Sequence, residues 1–179
     1  ANGMIGAFGQ PYGWYTLGRP LVASVIVGLI MGDLQTAILL GAAIQVAYIA
    51  IVTPGGTLPI DLRSICWIGI PLALAAVKGS GLVPNSPEAL SLAISIVSTV
   101  GIVGTLMFHA TLMVNTATWL NVGLDAIKKG NNRMVYMANY FLPVISHLLI
   151  VFIPTILVTK FGVQYISNIK QIFPLDGLL

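Results

Sequence analysis

Apolar positions along this chain come in unbroken blocks, with neither the alternation of a half-buried strand nor the one-sided periodicity of a surface helix. Residues 1–18 hold five glycines with Phe8, Tyr12, Trp14 and Tyr15 and no charge, a mixture that predicts an interfacial or re-entrant segment. The next block, 20–32, has about 13 residues and reaches about 20 Å, against about 30 Å of hydrocarbon, so it cannot cross a bilayer alone. Asp33 and Gln35 interrupt. A second run over 34–52 follows, rich in small residues (Ala37, Gly41, Ala42, Ala43, Ala47, Ala50). The pair predicts a tight helical hairpin closed by the small-residue faces Gly28-x-x-x-Gly32 and Ala43-x-x-x-Ala47.

Pro54, Gly55, Gly56 and Pro59 keep the segment 53–61 out of regular helix. Another short run spans 64–77, and 78–88 reads as a solvent loop. Residues 89–120 are a helical stretch of about 32 residues, roughly 48 Å if straight, which must protrude or break. Gly101 and Gly104 are the expected break. The loop 125–133 carries Lys128, Lys129 and Arg133, which places it in the cytoplasm by the positive-inside rule. A last span covers 140–159, with Pro143 and Pro154 as kink sites and Lys160 outside. The expectation is an all-α membrane protein, a polytopic helical bundle with short re-entrant, hairpin-like helices. It forms one embedded domain over 1–179: interfacial at 1–19, short helices and a broken segment at 20–77, longer spans at 89–120 and 140–159, and a cytoplasmic loop at 121–139.

Composition agrees with this pattern. Hydrophobic residues make up 57% and charged residues 7%, with mean hydropathy +0.96, where a soluble domain carries about 25% charged residues. The eight Lys and Arg are scattered, so there is no basic stripe for nucleic acid and the net charge of +3 is a topology signal. Cys66 alone allows neither an intramolecular disulfide nor a cysteine metal site. Nothing at the start reads as a signal peptide. The chain opens at Ala1 without an initiator methionine, so its first residues are expected to be missing, and no repeat of fixed period is found.

Short hydrophobic segments interrupted by Gly and Pro point to a transporter site, because irregular backbone at membrane depth survives only where protein or water satisfies it. Here that stretch offers Gln45, Tyr48, Thr57, Asp61 and Arg63 around Gly55 and Gly56. These are the amides, hydroxyls and charges that hold a polyhydroxylated solute, with glycines that let the backbone bend close to it. The plainer reading is a turn in which Asp61 caps the next helix and Arg63 meets headgroups. A second feature is a polar stripe of Ser91, Ser95, Ser98, Thr105, His109 and Thr116 at helical spacing, either an aqueous path or helix packing with hydroxyls bonded to their own backbone. His109 and His147 lie in apolar runs without partners at metal spacing and read as packing residues. Gly55-Gly56 lacks the Lys-Ser or Lys-Thr of a phosphate loop, so ATP-driven transport through this chain is not expected. No cofactor and no metal are implied.

The stretch Arg19-Pro-Leu-Val-Ala-Ser-Val-Ile-Val-Gly-Leu-Ile-Met-Gly-Asp33, then Gly41-Ala-Ala-Ile-Gln45 and Pro54-Gly-Gly-Thr-Leu-Pro-Ile-Asp61 resemble the membrane subunit IIC of the mannose/fructose/sorbose-type bacterial phosphotransferase system. The resemblance covers nearly the whole chain, without the family's further C-terminal membrane segments, so a fragment or short member is expected. It implies a multi-pass protein of the bacterial inner membrane that pairs with a IID membrane subunit and has no phosphorylation site of its own: soluble IIA and IIB components relay phosphate to the sugar, and the phosphorylated histidines belong to them. Mannose-type members usually carry Glu where this chain has Gln45, which implies a sorbose, N-acetylgalactosamine or similar branch. On this reading Gln45 and Asp61 hydrogen-bond the sugar, with Tyr48 and Thr57 as weaker contacts, in an oligomeric assembly. Two other classes stay open: an ion- or proton-coupled transporter with Asp61 or His109 as the coupling group, and a scaffold that anchors partners.

Overall fold

In a computed structural model of the chain, the described residues are 16–51 and 59–162; they build five helices, with no strand among them. Helix α1 (Pro20–Met31) starts on a proline, whose missing N–H is not needed in a first turn. It stops at Gly32, which takes the left-handed conformation (φ 69°). Asp33 then caps α2 (Leu34–Ala47) by accepting the Thr36 N–H at 3.2 Å.

The two half-length helices form the expected hairpin, but other residues close it. A Cβ on Gly28 would lie 2.8 Å from the Ala37 Cβ, and one on Gly41 would overlap the Ser24 side chain. Gly32 has nothing within 4 Å, and Ala47 is exposed. The small residues that count are thus Ser24, Gly28, Ala37 and Gly41, and α2 ends five residues before the predicted run does.

Helix α3 (Leu62–Ser80) is continuous across a π-helical turn at Ile65–Gly69. That turn precedes Pro71, whose lack of an N–H leaves the Trp67 carbonyl without its usual donor. At 19 residues, about 28 Å, α3 is long and apolar enough to cross hydrocarbon, and it extends beyond the short run read over 64–77 at both ends. Lys78 is helical and not part of a loop; its Nζ lies 3.1 Å from the Asp33 carboxylate, tying the end of α3 to the tip of the hairpin.

Helix α4 (Pro87–Lys128) runs for 42 residues, about 63 Å, with a π-helical turn at Asn115–Trp119. Ser86 caps it through the Ala89 N–H. It passes unbroken through Gly101 and Gly104, which corrects the predicted break. A turn at 129–131, with Gly130 at φ 63°, leads into α5 (Asn132–Gly162) of 31 residues, so most of the expected loop at 121–139 is helical. The Trp119 indole donates to the Ser146 hydroxyl at 2.6 Å and joins α4 to α5.

Leu40, Ile44, Ile65, Cys66, Ile70, Leu74 and Val97 form the centre of the core, where α1, α2 and the first half of α4 surround α3. In the most apolar stretch of α3, 72% is buried, against 22% in α4 and 11% in α5. The latter two present Leu106, Met113, Leu149 and Phe152 outward, a surface that only lipid or another membrane protein can cover favourably. The chain is therefore an all-α membrane protein, with three helices long and apolar enough to span.

Candidate functional site at the junction of α2, α3 and α4

The polar residues singled out in the sequence flank the connection between α2 and α3. Its central portion, 52–58, including Gly55, Gly56 and Thr57, lies outside the described residues. On the upstream side Gln45 and Tyr48 occupy the last turn of α2, three residues apart and hence on one face. Downstream, Asp61 opens α3.

Helix α4 backs both sides with the same face. The Tyr48 hydroxyl lies 2.5 Å from the Ser98 Oγ. Asp61 donates its backbone N–H to the Gly101 carbonyl at 3.3 Å. Ser98 and Gly101 are separated by about 4.5 Å of helix rise, so Tyr48 and Asp61 meet α4 within one turn of each other. Close approach there requires glycine: a Cβ on Gly101 would come 2.6 Å from the Ile60 Cγ1, and one on Gly104 would overlap the Ser64 Cβ. The Gly101 carbonyl also accepts the Thr105 hydroxyl at 2.9 Å.

Asp61 and Arg63 are 4% and 5% exposed, which overturns the alternative that Arg63 reaches out to headgroups. Asp61 does cap α3: its Oδ1 accepts the Arg63 backbone N–H at 3.2 Å and the Arg63 Nε–H at 2.9 Å, and its Oδ2 accepts the Ser64 hydroxyl at 2.7 Å. The guanidinium carbon lies 5.4 Å from the centre of the Phe108 ring, a cation–π contact. A carboxylate has about four acceptor positions. Three are engaged inside the protein.

Gln45 differs. Its Oε1 is buried and accepts no hydrogen bond, although a buried amide oxygen without a donor costs about 1–3 kcal/mol. Native proteins keep few such groups, and each has a reason to exist. A solute that donates to it is one such reason.

Most of the stripe on α4 bonds to its own helix. Ser95 donates to the Ser91 carbonyl, Thr105 to that of Gly101, and His109 Nδ1 lies 2.8 Å from the Thr105 carbonyl. Of the stripe, among the described residues, Ser98 alone also bonds to another helix. Sequence reasoning placed it in the stripe but not beside Tyr48, fifty residues away. Among the described residues no three of His, Cys, Asp and Glu gather where they could hold a metal.

These features define a polytopic helical membrane protein with polar groups enclosed between the end of the half-length helix α2 and the start of α3. The sequence matches the family of the PTS system sorbose-specific IIC component over residues 3–178, and the chain belongs to that family, the IIC components of mannose-family phosphotransferase systems. It is accordingly a membrane subunit of a sugar permease, a class that works with other phosphotransferase components on a sugar. No curated protein and no solved structure matches it.

Proposed function

We propose that this chain forms the sugar path of its permease at the α2–α3 junction, with Gln45 and Tyr48 on one wall and Asp61 on the other, and with Thr57 as a weaker sugar contact and Gly55 and Gly56 as backbone hinges. The observation that supports this most is the buried, unpartnered Gln45 Oε1. A neutral amide there suits a neutral polyol, and a ketohexose such as sorbose or an N-acetylhexosamine is the substrate class we favour. The IIC subunit would work with a IID membrane subunit by alternating access in the bacterial inner membrane, while soluble IIA and IIB components phosphorylate the arriving sugar.

Asp61 contributes as a rigid frame with one acceptor position left for a sugar hydroxyl. The test is uptake in cells that also carry the IID, IIA and IIB genes: sugar should appear inside only as its phosphate, and Gln45→Ala should reduce that uptake at least tenfold. Accumulation of unmodified sugar in response to a pH gradient, or full uptake by both Gln45→Ala and Asp61→Ala, would overturn the proposal.

A further inference from the structure

The hydroxyl of Ser98 has one proton and two neighbours: the Ile94 carbonyl at 2.6 Å and the Tyr48 hydroxyl at 2.5 Å. A carbonyl oxygen can only accept, so the serine proton is committed to Ile94. Tyr48 must then donate to Ser98. The phenol has no second proton, and towards any solute it is left as an acceptor. One turn earlier on the same face, Gln45 presents its carbonyl oxygen, also an acceptor.

From this chain of bonds we infer that Ser98 is a specificity-determining residue: by fixing the direction of the Tyr48 hydroxyl, it makes the α2 wall of the site select solutes that offer hydrogen-bond donors. The inference rests on the reading of this junction as the sugar path. Sugar hydroxyls and N–H groups satisfy such a wall. A phosphate or carboxylate set against the Tyr48 hydroxyl does not, since it brings lone pairs and negative charge against an acceptor, and the amide NH2 of Gln45 is the one donor on this wall. The same arrangement that admits a free sugar therefore repels its phosphate ester wherever the esterified hydroxyl is the one facing the Tyr48 hydroxyl. Ser98 acts through Tyr48, and its role is one of positioning.

Fluorine substitution tests this, because a C–F group cannot donate. The probe sugar is whichever of L-sorbose, N-acetylgalactosamine and mannose the wild-type permease accumulates as phosphate, and its monodeoxyfluoro analogues compete for uptake. The readout is the ratio of inhibition constants, analogue over parent, which does not depend on how much permease reaches the membrane. In the wild type at least one analogue should bind about tenfold or more weaker than the parent. In Ser98→Ala the freed phenol can turn and donate, and the ratio for that analogue should fall to within about threefold. Ser98→Thr keeps a hydroxyl and should restore the wild-type ratio. Tyr48→Phe removes the acceptor and should also flatten it, which keeps the test decisive should Ser98→Ala fail to fold. An unchanged ratio in Ser98→Ala or in Tyr48→Phe overturns the inference while leaving the sugar path standing. If the wild type accumulates none of the sugars as its phosphate, the sugar path itself fails and the inference falls with it.

Discussion

Arg63 and Asp61 face each other inside the helical bundle at 2.9 Å, both more than nine-tenths buried, at the point where a non-helical segment becomes a spanning helix. Their placement combines two functions that are usually separate. The carboxylate caps α3 at its positive end, and the guanidinium neutralises that carboxylate while lying against Phe108. Removing either member breaks a buried, charge-assisted hydrogen bond. Asp61→Ala is expected to destabilise the protein by about 3–5 kcal/mol. The double change Asp61→Ala with Arg63→Met should be milder than the sum of the single changes, because both single changes remove the same ion pair. Thermal unfolding in detergent measures both.

The glycines of α4 give a graded series. At Gly104 an added methyl meets the Ser64 Cβ, which cannot yield without moving the backbone of α3. At Gly101 it meets the outer atoms of the Ile60 and Ile65 side chains, which can rotate. Gly123 has its nearest neighbour at 3.6 Å. Gly104→Ala should therefore be the most damaging, by about 1–3 kcal/mol or more. Gly101→Ala should cost less, and Gly123→Ala should gain up to about 1 kcal/mol from helix propensity. Unfolding midpoints in one detergent would rank the three, and an equal loss at all positions would contradict the packing described.

The difference between breaking and packing glycines also explains which parts of the fold were legible in the sequence. The turn at Gly32-Asp33 was readable because a left-handed glycine and a capping acid act within a few residues of themselves. Gly101 and Gly104 were misread as a break, since what they face, Ile60 and Ser64, lies some forty residues away. Likewise Gln45, Tyr48 and Asp61 stood out by residue type and position beside a Gly- and Pro-rich segment. The partner of Tyr48, Ser98, looked like one member of a stripe, because periodicity shows the face of a helix and not what the face touches. The burial of Arg63 was undecidable from spacing alone, as a charge at the edge of an apolar run can turn inward or outward.

The tip of the α1–α2 hairpin predicts a modest acid sensitivity. Burial alone would raise the Asp33 pKa, but hydrogen bonds from Lys78 and Thr36 and the lysine charge outweigh it and hold the carboxyl below its ordinary value near 3.8. A carboxyl whose folded pKa is depressed contributes stability that is present above its unfolded pKa and is lost as pH falls through the folded one. Asp33→Ala should thus lower the unfolding midpoint at neutral pH, by about 0.5–2 kcal/mol for the lost cap and at most about 1 kcal/mol for the partly exposed ion pair. The gap between variant and wild type should narrow below about pH 4. A gap that widens on acidification would show that Asp33 is not held by these partners.

Gln45 offers the sharpest separation of function from stability. Its buried, unpartnered carbonyl is unfavourable in the empty protein, and the proposed site uses that very atom to receive a sugar donor. Replacing it with leucine, one bond shorter and without polar atoms, removes the unmet acceptor. Gln45→Leu should raise the stability of the sugar-free protein by up to about 1–3 kcal/mol. It should also abolish the rise in unfolding temperature that a transported sugar produces in the wild type by binding the native state. A residue that merely packs the end of α2 would move the two quantities together, whereas a residue kept for a solute moves them in opposite directions. Melting curves of both proteins with and without the sugar decide between these outcomes.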